Sequence, residues 1–215
     1  MSGKFKALGL GLLAATAVSV VGVVNASATS FGTFEFESNH TVIVGSENAT
    51  HKSKFSLVGL AGNIECGKVA YTGTAQAELV AGVTVTPHYE ECKTEGTATN
   101  VTIKHNGCEY TLKSSSEPHA TWHVFCPSGK VIEIHHPNCT VTIPAQVANG
   151  VSYTKVVEGG KHALTVNLTI ENITAYFHGG ICIFTGTNHT ATLKGSFTLK
   201  GTDTAGNATS ITITA

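Results

Sequence analysis

An all-β fold is what this sequence predicts, an antiparallel β-sandwich or partly closed barrel held by disulfides. Polar and apolar residues alternate with period two through Thr84-Val85-Thr86, Asn100-Val101-Thr102-Ile103, Thr140-Val141-Thr142-Ile143, Asn167-Leu168-Thr169-Ile170 and Ser210-Ile211-Thr212-Ile213. Each such segment buries Val, Ile or Leu on one face and shows Thr or Asn to water on the other. Turn residues separate the segments, at Gly62-Asn63, Asn106-Gly107, Pro127-Ser128-Gly129, Asn149-Gly150, Gly159-Gly160 and Gly179-Gly180. The third observation is an even cysteine set, Cys66, Cys92, Cys108, Cys126, Cys139 and Cys182, downstream of an export signal. In an oxidising compartment such a set predicts three bridges. Roughly a dozen strands and no amphipathic helix are expected.

The signal is the first element, over residues 1–28. Lys4 and Lys6 make a basic start, Ala7 to Val24 an apolar stretch, and Ala26-Ser27-Ala28 a cleavage site before Thr29. An uncleaved anchor helix is the rival, weakened by Gly9, Gly11, Gly22, Thr16 and Ser19. Residues 29–215 carry no charge run or Pro/Ser linker, so they are expected to form a single all-β domain. The expected location is secreted, extracellular or at the cell surface, with no membrane contact once the signal is removed.

The strands follow in order. Phe31-Gly32-Thr33-Phe34-Glu35-Phe36 opens the exported chain with Phe34 and Phe36 on one face, and Ser210 to Thr214 closes it with Ile211 and Ile213 on one face. Either terminal strand is tied at one end only. It can therefore complete the sheet of a second copy, or close its own sheet in the ordinary way. In the middle, Val101 to His105, Asn106-Gly107 and Cys108 to Leu112 read as a tight hairpin. If Thr121 to Cys126 returns antiparallel with Lys113 opposite Thr121, Cys108 falls opposite Cys126, which predicts that bridge. The other four cysteines stay unassigned.

Several of these motifs occur as an ordered set: Thr84-Val85-Thr86-Pro87 with Cys92, Asn106-Gly107-Cys108, Cys126-Pro127 with Gly129-Lys130, and Cys139-Thr140-Val141-Thr142-Ile143. The set resembles a group of exported bacterial β-proteins over most of residues 29–215. The resemblance implies secretion and a cysteine framework, and it brings no activity or site residue with it.

Charge removes whole classes of function. Lys+Arg is 13 and Asp+Glu is 14, the formal net charge is −1, there is no Arg, and Asp203 is the only Asp. The near-balance argues against an electrostatic polyanion binder, and without Arg bidentate phosphate or guanine recognition is unavailable, so no nucleic-acid partner is expected. With one Asp and few charges, acid-rich calcium cages and Asp-built magnesium sites are poorly supported. No cofactor motif is present: G-x-x-x-x-G-K-[ST], G-x-S-x-G and H-E-x-x-H are all missing. Glu90-Glu91 diverges on a strand, and a Ser/His/Asp triad would have to recruit Asp203 from a Gly/Thr-rich tail. The chain reads as non-enzymatic.

Four features remain. His88, His135 and His178 each stand four residues before a cysteine, and His135-His136 is a doublet. Imidazoles at short spacing suit zinc or copper, so His88, His135, His136 and His178 are the candidate metal set, although bridged cysteines add no thiolate to it. Nine of the twelve Asn stand in N-x-[ST], one of them, Asn25, in the signal. Asn39, Asn48, Asn100, Asn138, Asn167, Asn172, Asn188 and Asn207 are therefore glycan-attachment candidates. Alternation on a solvated strand face accounts for some of them equally well. Repeated Thr-x-Thr pairs read as β-propensity on exposed faces. The lone Trp122 is a candidate sugar-stacking platform.

The expected function is a structural, assembly or adhesion subunit of the cell surface or extracellular matrix, with itself or surface glycans as partner. A secreted metal-binding module using the histidines is one alternative. A carbohydrate-binding module around Trp122 is the other.

Overall fold

The computed structural model describes residues 32–60, 62–97, 99–137, 139–180, 182–183 and 185–214. The expected signal, together with Phe31 and Asn138, lies outside them. The described residues are 68% strand and contain no helix, and the strands build a closed eight-stranded antiparallel barrel with further strands attached. Of the two expected architectures the barrel is the one formed, and it is fully closed.

The barrel consists of β2 (Thr41–Glu47), β5 (Lys68–Ala75), β7 (Gly82–Glu90), β10 (Glu109–Ser116), β11 (His119–Phe125), β14 (Gln146–Glu158), β15 (Lys161–His178) and β16 (Gly186–Thr202). Each pairs with the next, and β16 pairs with both β15 and β2, which completes the ring. Period-two patterning fills the interior: Ile43, Tyr71, Val83, Val85, Leu112, Trp122, Val151 and Val166 are buried while their neighbours are more exposed. Tyr71 stacks on Phe197 with ring centroids 4.1 Å apart, and Tyr110 packs on Trp122 at 4.9 Å. Closure leaves these strands no free edge.

The two mouths of the barrel differ. At the near mouth lies a separate three-stranded sheet of β18 (Ile211–Thr214), β1 (Thr33–Phe36) and β6 (Leu79–Val80), in that order. Phe34 lies opposite Ile213 and Phe36 opposite Ile211, with all four buried. The two terminal segments thus pair with each other within one chain. The short β17 (Ala208–Thr209) pairs β16 beside them.

At the far mouth the chain leaves the barrel repeatedly to form a second curl of sheet. Its strands are β3 (Lys54–Ser56), β4 (Asn63–Glu65), β8 (Lys93–Thr94), β9 (Thr102–Lys104), β12 (Ile132–His136) and β13 (Cys139–Ile143). They flank the outer halves of the long strands, with β3 on β16 and β13 on β15. A bridge between Lys93 and Asn100 brings the two ends of this curl together. β15 changes neighbour at a bulge around Glu171-Asn172, where Asn172 sits at φ 60°, a conformation Asn tolerates better than most residues. The backbone of β15 finds a substitute partner there: Gln146 Oε1 accepts from Thr174 N at 2.8 Å, and Gln146 Nε2 donates to Thr174 O at 3.1 Å.

The disulfides rivet this junction. Lys68 pairs Glu90, and two residues further out Cys66 is bonded to Cys92. Glu109 pairs Phe125, and one residue further out Cys108 is bonded to Cys126, with Lys113 opposite Thr121 as the register argument required. Cys139–Cys182 ties the start of β13 to the loop after β15.

Two local expectations need correction. Asn106-Gly107 does form a tight reversal, with φ values of 51° and 81° and Cys108 N donating to His105 O, but no hairpin ladder grows from it. β9 pairs β12 in the outer curl and β10 pairs β7 and β11 in the barrel. Turn chemistry dictates the reversal, while the outer curl takes the strand before it and the barrel takes the strand after it. Asn149-Gly150 is no turn at all. It is a bulge inside β14, where three steps from Ala148 to Val151 face two steps from Trp122 to Ala120.

Candidate functional site

In the outer curl, β12, β13 and β15 lie side by side. Ile134, Val141 and Phe177 point into the core, so alternation sends Glu133, His135, Thr140, Thr142 and His178 outward. Register then aligns Thr102 with His135, His135 with Thr140, and Thr140 with His178 across four strands. Beside this row is a depression of about 430 Å³ lined by His135, His136, His178, Cys139, Asn100 and Thr102, among others. The structure therefore brings together three of the four candidate metal histidines, next to the Cys139–Cys182 bridge.

His135 is held from two sides. Its Nε2 lies 3.0 Å from Glu133 Oε2 and its Nδ1 lies 3.4 Å from Thr140 Oγ1. The His135 hydrogen bond first, with smaller help from Asn106 and Lys104, lowers the pKa of the Glu133 carboxyl against the opposing effect of burial. The row offers partly exposed imidazole and hydroxyl groups to a polar ligand.

The four histidines do not make one centre. His88 lies on β7, opposite Ala70 and away from the other three, with its Nε2 3.1 Å from Thr72 Oγ1. Its ring neighbour is His105, at a centroid distance of 5.9 Å. Among the described residues no three His, Cys, Asp or Glu groups converge as a metal cage. Sequence reasoning missed His105 as a partner for His88. No sequence signal placed the two together; the structure does so because β10 lies against β7 with Tyr110 opposite Val85, which carries the preceding turn over the end of β7.

Trp122 is corrected. It is 2% exposed inside the barrel, so neither face of its indole is open to a sugar. Its apolar neighbours on β11, Ala120 and Val124, are buried on the same face, which is why the indole follows them inward.

The sequons divide by environment. Asn39, Asn100, Asn167, Asn172 and Asn207 are exposed, Asn48 and Asn188 are half-buried, and Asn138 lies outside the described residues. Asn48 is committed internally: its Nδ2 donates to Ser196 Oγ at 2.7 Å and its Oδ1 accepts from Thr198 Oγ1 at 3.1 Å. Asn207 donates its Nδ2 to Asp203 Oδ2 at 2.8 Å. At Asn188 the Oδ1 accepts from both the amide and the hydroxyl of Thr190, within its own sequon. No family model, curated protein or solved structure matches the chain.

Proposed function

We propose that this is an exported, non-enzymatic β-protein of the cell surface or extracellular matrix, an adhesion or assembly subunit that presents its outer curl. Three disulfides fit an oxidising, extracellular environment. The observation that carries the reading is polarity along the barrel. Both ends of the described chain pair in one sheet at the near mouth, while the three disulfides and the histidine-lined depression lie at or beyond the far mouth. A module attached to a surface near either end would hold that curl outward.

The titratable groups support a non-catalytic role. Asp203 accepts from the amides of Ala205 and Asn207 in its own turn. Tyr71, Tyr89 and Tyr110 are pushed upward by burial first, Tyr110 to about 12, and stay neutral phenols at physiological pH.

The test is fractionation and surface labelling of the host cell, with thiol counting on the recovered chain. The reading expects protein in the medium or on the surface, starting near Thr29, with all six cysteines oxidised, and antibody against the outer curl staining intact cells. Recovery from the cytosol with free thiols would overturn it. Light scattering on the purified chain then separates assembly from adhesion: concentration-dependent polymers favour the former, a stable monomer the latter.

A further inference from the structure

The geometry points to a two-imidazole site for a first-row transition-metal ion between His88 and His105, distinct from the His135–His178 row and independent of where the protein resides. His88 belongs to the last turn of ladder on β7. His105 precedes the Asn106-Gly107 reversal, which is pinned by Cys108 N to His105 O at 2.7 Å and by Asn106 Nδ2 to Val131 O at 3.0 Å. Both side chains are thus carried by fixed backbone.

The ring geometry fits a shared ion. The two centroids are 5.9 Å apart with planes at 86°. With metal–nitrogen bonds of about 2.0–2.1 Å, two imidazoles on one ion have centroids roughly 5 Å apart at a tetrahedral angle and about 6.3 Å apart when opposed. The observed spacing falls inside that window.

A second observation concerns the nitrogens themselves. His105 Nδ1 is buried and has no hydrogen-bond partner, which is costly for a neutral imidazole unless a ligand takes the lone pair. His88 has its Nε2 fixed by Thr72 Oγ1, the kind of outer hydrogen bond that orients a ligating imidazole and presents the opposite nitrogen. Water completes the coordination sphere, since two histidines supply only two donors. Imidazole nitrogen and the top of the divalent affinity series make Cu2+ the sharpest probe.

The experiment is titration of the tag-free, oxidised chain with Cu2+ in a non-coordinating buffer, followed by electron paramagnetic resonance. One ion per chain with hyperfine structure from two imidazole nitrogens is expected. His88→Ala and His105→Ala should each weaken it at least tenfold, and Thr72→Val about tenfold by freeing the His88 ring. The combined His135→Ala, His136→Ala and His178→Ala variant should bind as the parent does. Parent-like binding by the folded His88→Ala variant, a one-nitrogen spectrum, or loss of the ion only in the triple variant would overturn the site. Because His88 is exposed, circular dichroism of His88→Ala and Thr72→Val is expected to be unchanged, so these two keep the test decisive if His105→Ala fails to fold.

Discussion

At residue scale, Gly150 shows how closely two strands approach at the β14 bulge. Its φ is +100°, and a Cβ there would stand 2.1 Å from Thr169 O and 3.1 Å from Ile170 Cα. The obstacle is backbone of the neighbouring strand and cannot swing away. Gly150→Ala is therefore expected to cost about 3 kcal/mol or more in denaturant unfolding, combining backbone strain with a clash. Gly159, at φ +59° with open space around its missing side chain, isolates the strain alone, and Gly159→Ala should cost only about 1–2 kcal/mol. Equal losses for the two variants would show that the contact with Thr169 relaxes freely. The sequons separate by the same method. Asn48→Ala removes the partner of Ser196 Oγ and one of the two partners of Thr198 Oγ1, and should cost about 1–3 kcal/mol even in unglycosylated protein, whereas exposed Asn39→Ala should stay within about 0.5 kcal/mol.

Among the elements, one carboxylate ties the near-mouth sheet to the barrel. Glu37 accepts from Lys161 Nζ at 2.8 Å and from Ser210 N at 2.8 Å, joining the ends of β1 and β15 to the start of β18. The Lys161 hydrogen bond first and the Ser210 amide second lower its pKa from the ordinary 4.5. A lowered carboxylate contributes stability that is complete above its unfolded value and is lost as pH falls through the folded value. Amides of β1 and β18 should accordingly lose protection in acid before those of β15 and β16, and Glu37→Gln should remove that step. Simultaneous loss in all four strands would refute the clamp. The outer curl depends instead on Cys139–Cys182, which closes a separation of 43 residues. Replacing both with Ala should cost about 3–4 kcal/mol by loop entropy, loosening β12 and β13 while β5 and β7 keep their exchange protection.

The same elements show where sequence reading succeeds. Thr84-Val85-Thr86 and Thr140-Val141-Thr142-Ile143 are strands because alternation needs only one buried face. Cys108 meets Cys126 because a hairpin register propagates one residue at a time. What escaped was partner choice: β9 follows a hairpin-like pattern yet pairs in the outer curl, and β15 serves both barrel and outer curl in one run of 18 residues. Local pattern sets a strand's faces, while the identity of the strand beside it is fixed by sheet curvature and long-range closure. The histidine row needed three such pairings to become visible, and the His88–His105 contact needed the position of a turn relative to a strand that sequence does not place next to it.

Across the whole molecule, the arrangement makes a prediction about connectivity. Thr33 pairs with Thr214, so the ends of the described chain are neighbours across a ladder. Gly159-Gly160, by contrast, forms the tip of the β14–β15 hairpin, where an added Cβ at either glycine would meet open space. Chains with adjacent ends and an exposed turn elsewhere tolerate rearranged connectivity, because the cut removes few contacts and the new joint needs only a short linker. A circular permutant that begins at Gly160, joins 214 to 33 through about five Gly/Ser residues and ends at Gly159 is expected to fold, to form Cys66–Cys92, Cys108–Cys126 and Cys139–Cys182, and to melt cooperatively. The joint would also restrain β1 and β18, whose side chains Phe34, Phe36, Ile211 and Ile213 seal the near mouth. If those strands close their own barrel, the permutant stays monomeric in light scattering and its β1 amides become better protected than in the parent. If they instead serve a second copy, the joint blocks the exchange and a parent that polymerises becomes a permutant that does not. A permutant that is unfolded or has scrambled bridges would mean that the β14–β15 turn is needed to nucleate the long strands, and that the shared pair, rather than the terminal sheet, determines whether the barrel closes.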